Sequence, residues 1–69
     1  MSKFKIEIAS VPDRNNLVAE IWFGDTLIAE ISQEEKKLEI EIYNEKGQKF
    51  LLEDYLSAIN EAASKLLSN

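Results

Sequence analysis

From Phe4 to Tyr43 apolar side chains fall on every second position, and from Leu52 onward they fall on every third or fourth. Phe4, Ile6 and Ile8 alternate with Lys3, Lys5 and Glu7, which predicts a half-buried strand. The following stretch, Ser10 to Asn16, contains Val-Pro-Asp-Arg-Asn-Asn, is dense in turn formers and closes that strand. A second strand is predicted over Leu17 to Phe23, with Leu17, Ala19, Ile21 and Phe23 in phase, and a third over Leu27 to Ser32, with Leu27, Ala29 and Ile31. The fourth, Leu38 to Tyr43, sets Leu38, Ile40 and Ile42 against Glu39, Glu41 and Tyr43. Asn44-Glu45-Lys46-Gly47 reads as a turn, and Gln48 to Leu51 leaves room for a short fifth strand. Leu52, Leu56, Ile59, Ala63 and Leu66 then recur at helical spacing, with Tyr55, Ala62 and Leu67 broadening the stripe. Glu53 and Asp54 in the first turn and Lys65 near the last suit the helix dipole, and Glu61 with Lys65 makes an i,i+4 pair.

One apolar sheet face needs cover, and the helix stripe is what the chain offers. The expected fold is therefore α+β: an antiparallel four- to five-stranded meander with one C-terminal α-helix packed on one face, residues 1–69 forming a single domain. Between strands two and three, a two-residue Gly24-Asp25 turn would pair Ile21 with Ile28 and set Glu30 opposite Ala19 on the buried face. A three-residue loop, Gly24 to Thr26, pairs Phe23 with Leu27, Ile21 with Ala29 and Ala19 with Ile31, making that face wholly apolar. The second register is preferred, with a bulge as the way the two would mix.

The same phase enumerates the opposite face, expected to meet solvent: Lys3, Lys5 and Glu7; Val18, Glu20 and Trp22; Ile28 and Glu30; Glu39, Glu41 and Tyr43. In the preferred register Trp22 lies opposite Ile28 and Glu20 opposite Glu30. Pairing Ile31 with Leu38 would add Glu39 to the glutamate row and Glu41 to the Trp22 row. Like charges directly opposite each other do not serve fold stability. Glutamates on alternating positions also keep a sheet soluble, and Lys5 is placed to pair with Glu20. The loop Ser32 to Lys37 reads first as a solvated connection.

Charge sharpens this picture. The chain carries 13 acids against 8 bases, a net charge of −5, and the surplus lies in residues 17–45, while the segments on either side sum to +1 and zero. An acidic chain without a basic stripe argues against direct nucleic-acid binding. There is no cysteine and no histidine, so no disulfide, thiolate zinc site or imidazole base is available. Gly24 and Gly47 are isolated, so no phosphate loop exists, and the paired glutamates lie on an open face rather than in a cleft. No catalytic, cofactor-binding or metal-ligating residues are expected. No apolar run is long enough to cross a membrane, and the Met-Ser-Lys start reads as a cytoplasmic N-terminus.

Val18-Ala19-Glu20-Ile21-Trp22-Phe23, Ile31-Ser32-Gln33-Glu34 and Leu38-Glu39-Ile40-Glu41-Ile42-Tyr43 together resemble a group of small bacterial proteins that end in a similar helix. Members of that group look like small immunity or anti-defence proteins, and the resemblance implies no catalytic residues. The expected function is a small acidic, non-catalytic protein-binding module, an immunity-type or anti-defence inhibitor of a basic partner. Trp22 would anchor the interface, with Tyr43, Ile28, Glu20, Glu30, Glu39 and Glu41 around it. The alternative is a homodimeric structural or adaptor protein closing on the Trp22 face.

Overall fold

Period-two alternation and a helical stripe become four strands and one helix: β1 Phe4–Ala9, β2 Val18–Phe23, β3 Thr26–Ser32, β4 Glu39–Ile42 and α1 Leu52–Leu67. The computed structural model describes residues 3–43 and 47–69. The strands form one antiparallel meander in the order β1-β2-β3-β4, with α1 packed against it, so the expected α+β architecture holds. Among the described residues the sheet has four strands, and 48–51 is irregular chain. Phe50 accounts for that: its ring lies 4.8 Å from Phe23, 5.2 Å from Phe4 and 5.4 Å from Tyr55, centroid to centroid. Burying this ring among three others draws the segment beneath the sheet rather than along its edge. Of the expected 44–47 turn, only Gly47 lies within the described residues, with φ +60°.

The β2–β3 hairpin combines both registers considered for it. Near the turn Phe23 faces Thr26 and Trp22 faces Leu27, the two-residue register; beyond it Ile21 faces Ala29, Glu20 faces Glu30 and Ala19 faces Ile31. The extra residue between them is Ile28, a β-bulge. At the turn Gly24 takes φ +62°, which glycine adopts without a Cβ clash. The bulge reconciles a tight turn with an apolar inner face, because Ile28 and Ala29 both join the core on the helix side. Ile28 is 2% exposed, so its expected place beside Trp22 on the outer face is corrected.

The helix is also turned from its expected orientation. Its buried residues are Ala58, Ala62 and Leu66, with Tyr55, Ile59 and Ala63 partly buried alongside, whereas Leu52, Leu56 and Leu67 are exposed. Tyr55 stacks on Phe50, and positions three, seven and eleven further on are Ala58, Ala62 and Leu66. That aromatic anchor sets the rotation, and small side chains on helix and sheet (Ala19, Ala29, Ala58, Ala62) let the two layers approach closely. The helix packs on β1 and β2, less on β3, and not on β4. Leu38, Ile40 and Ile42, expected beneath the helix, therefore stay exposed. At its C-terminus the Ser68 hydroxyl and Asn69 amide both donate to the Lys65 carbonyl, at 3.1 and 2.8 Å, and Lys65 pairs with Glu61 as expected.

Candidate functional site

The outer sheet face is built on a row of four glutamates. Glu7 faces Glu20, Glu20 faces Glu30, and Glu30 faces Glu41, one from each strand. The β3–β4 pairing is Ile31 with Ile40, not with Leu38, so Glu39 stands opposite Ser32 and outside the row. Lys5 does not bridge to Glu20; it lies opposite Trp22 and pairs with Glu7, two residues along its own strand, at 2.8 Å. That hydrogen bond, with the carboxylate charge, raises the Lys5 pKa. The Trp22 indole N–H donates to Glu20 Oε1 at 3.2 Å.

Arg14, the chain's single arginine, governs the middle of the row. Its Nη2 lies 3.2 Å from Glu30 Oε1 and 3.3 Å from Glu41 Oε1, and its Nε donates to Glu30 at 3.3 Å. The hydrogen bond to Glu30 is the main cause of a raised Arg14 pKa. Glu30 is 7% exposed and Val18, in the same outer phase, is fully buried. This corrects the expectation of a face open to solvent: residues 10–17 fold back over its centre. The loop Ser32 to Lys37 secures them, because Glu34 accepts the backbone N–H groups of Asn15 and Asn16 at 2.8 and 3.1 Å. The Asn16 amide also donates to the Gln33 carbonyl at 3.1 Å. The second loop is thus a clamp on the first as well as a connection.

Of the seven residues expected to form one interface, Ile28 is in the core and Glu30 is buried beneath Arg14. The other five divide into two areas on either side of Arg14. Trp22 and Glu20 form one, half-exposed, beside a shallow concavity lined by Lys5, Glu7, Trp22, Gly24 and Asp25. Glu39, Glu41 and Tyr43 form the other at the β4 edge. Sequence reasoning missed Arg14 because turn-former density dominated its segment; a solitary arginine facing a surplus of glutamates was the available signal.

Burial is the first cause of a raised Tyr43 pKa, followed by the charges of Glu30 and Glu41 and the hydrogen bond to Glu41. The unfolded chain therefore gives up this phenolic proton first. Stability linked to the neutral phenol is complete below the ordinary value of 10.0 and is lost as pH rises through the higher folded value. In an alkaline absorbance titration, Tyr43 is expected to ionise later in the folded protein than in the unfolded chain. Tyr43→Phe should remove that late phase and flatten the fall of stability above pH 10; a late phase surviving the substitution would assign it elsewhere.

Chemically, the face accepts hydrogen bonds and attracts cations. Among the described residues no group of three or more carboxylates is arranged to hold a metal ion, and no helix is long and apolar enough to cross a membrane. Comparison with family models, curated proteins and solved structures gives no match for this chain.

Proposed function

We propose that the protein is a non-catalytic protein-binding module whose partner presents a basic surface. The observation that carries this reading is the row Glu7, Glu20, Glu30 and Glu41, running across all four strands. Directly opposed like charges weaken a sheet; Arg14 compensates Glu30 and Glu41 and Lys5 pairs with Glu7, which leaves Glu20 without an ion pair among the described residues. A cationic partner lowers the energy of the remainder and is steered toward it. Trp22 and Tyr43 supply aromatic contact on the two sides of Arg14, with Glu20, Glu39 and Glu41 as the charged surround. An immunity-type or anti-defence inhibitor acting in a bacterial cytoplasm is the role this surface suits, and the resemblance of the strand motifs points the same way. A homodimer closing on the Trp22 face is disfavoured, since Glu20 would approach its own copy on a chain of net charge −5.

The test uses the purified chain as bait at low and high salt, followed by titration of the captured, purified partner. Trp22→Ala is expected to keep the fold while lowering affinity at least about tenfold, the loss typical of an aromatic hot spot. Binding should also weaken as salt is raised. Affinity unchanged by Trp22→Ala and by salt would reject the reading.

A further inference from the structure

β4 closes the sheet opposite β1, and among the described residues no strand pairs with its far edge. The two edges differ. At β1 the inward side chains Phe4, Ile6 and Ile8 are packed against the core, and the outward Lys5 and Glu7 neutralise each other. At β4 every residue is exposed. Leu38, Ile40 and Ile42, on the helix side, are 41, 42 and 56% exposed, while Glu39 and Glu41 project from the other face.

The helix leaves further aliphatic side chains exposed. Asp54 lines a surface hollow with Lys3 and Phe4. At about 100° per residue, Leu52, Leu56 and Leu67 fall on the flank of α1 opposite Asp54, and all three are exposed. The outcome is a free strand edge with an aliphatic shelf on one side and two carboxylates on the other. Clustered exposed aliphatic side chains beside an unpaired edge are what soluble proteins otherwise avoid.

We propose that β4 is a strand-addition site for an extended segment of the partner, in which aliphatic residues alternate with lysine or arginine. This rests on the reading that the partner is basic and specifies how it docks. Main-chain hydrogen bonds to the free edge hold the added strand, and alternation delivers its two kinds of side chain to opposite faces. The aliphatic ones join Leu38, Ile40 and Ile42. The cationic ones stand next to Glu39 and Glu41. The glutamate row ends at this edge, so a cation beside Glu41 continues it with the opposite sign. Charge complementarity decides the occupant. Two copies joined antiparallel along β4 would bring Glu39 and Glu41 of one against the same residues of the other, with a charge of −5 on each chain. An acidic segment meets the same repulsion.

The closing experiment titrates the isotope-labelled full chain with two blocked seven-residue peptides, one alternating valine with lysine and the other valine with glutamate. The lysine peptide is expected to shift the backbone amides of residues 38–42, and to bind about tenfold tighter than the glutamate peptide at low salt. Glu39→Lys should bring the two affinities together or reverse them, and Ile40→Lys should weaken binding of both, each variant first checked for a folded amide spectrum. Equal binding of the two peptides, binding of neither, or self-association through β4 would overturn strand addition. Shifts confined to Trp22 and Glu20 would also overturn it while leaving the basic-partner reading intact. That reading is decided separately, by the salt dependence of partner capture.

Discussion

Replacing Ala62 with leucine is expected to destabilise the fold by about 1–3 kcal/mol, whereas Leu56→Ala should change stability by only about 0.5 kcal/mol. Ala62 is fully buried between helix and sheet, and Leu56 is 48% exposed on the helix flank. Added volume at position 62 meets Ala19, Ala29 and Ile21 in a core whose close layer spacing depends on small residues, so the helix must lift or the new side chain must leave its preferred rotamer. A chain of this size has roughly 3–10 kcal/mol of total stability, so the loss is a large share of it. Urea-unfolding midpoints at constant m-value measure both substitutions. The reverse order, with Leu56→Ala the costlier, would mean that the helix presents the leucine stripe to the sheet.

Arg14→Met should lower the melting temperature by several degrees, more than loss of the exposed Lys65–Glu61 or Lys5–Glu7 pairs. The difference is one of setting. Lys5, Glu7, Glu61 and Lys65 are each about half exposed or more, and such pairs contribute little. Glu30, by contrast, is nearly buried between Glu20 and Glu41, and Arg14 is its charge partner. Without the guanidinium, a carboxylate stays out of water beside two others, and the loop 10–17 keeps only its hydrogen bonds to Gln33 and Glu34. The double variant Arg14→Met, Glu30→Leu should recover most of the loss, because it removes the stranded charge along with its partner. High salt should relieve part of the single-variant defect by screening the row. A double variant as unstable as Arg14→Met alone would place the contribution in the aliphatic stem of Arg14 instead.

The Arg14 result bears on how the acidic face is used. Arg14 separates the acidic surface into a Trp22 area and a β4 area, so substitutions in one are expected to leave the other intact. Partner contacts read from Trp22 and from Glu39 therefore report on different parts of the molecule.

What the sequence determined by itself was four strands with a fifth left open, their antiparallel order, a C-terminal helix, and the outward phase of Glu20, Trp22, Glu30, Glu39 and Glu41. A period of two or of 3.6 fixes which side chains share a face, and no tertiary contact is needed to read it. Tertiary structure decided how the faces meet. Ile28 moved to the core because a tight glycine turn and an apolar inner face can coexist only through a bulge, which costs one residue of register. Glu41 rather than Glu39 completed the glutamate row because β3–β4 register follows the pairing of Ile31 with Ile40. The helix turned its alanines inward because Tyr55, stacked on Phe50, packs with it against Phe4 and Phe23 from the first two strands, contacts that no local pattern reveals. Arg14 reached Glu30 from 16 residues away, and that contact buried part of a face that alternation alone left open to water. In each case the deciding interaction is a contact between one element and another, and a pattern along the chain carries no information about which residues of the two will touch.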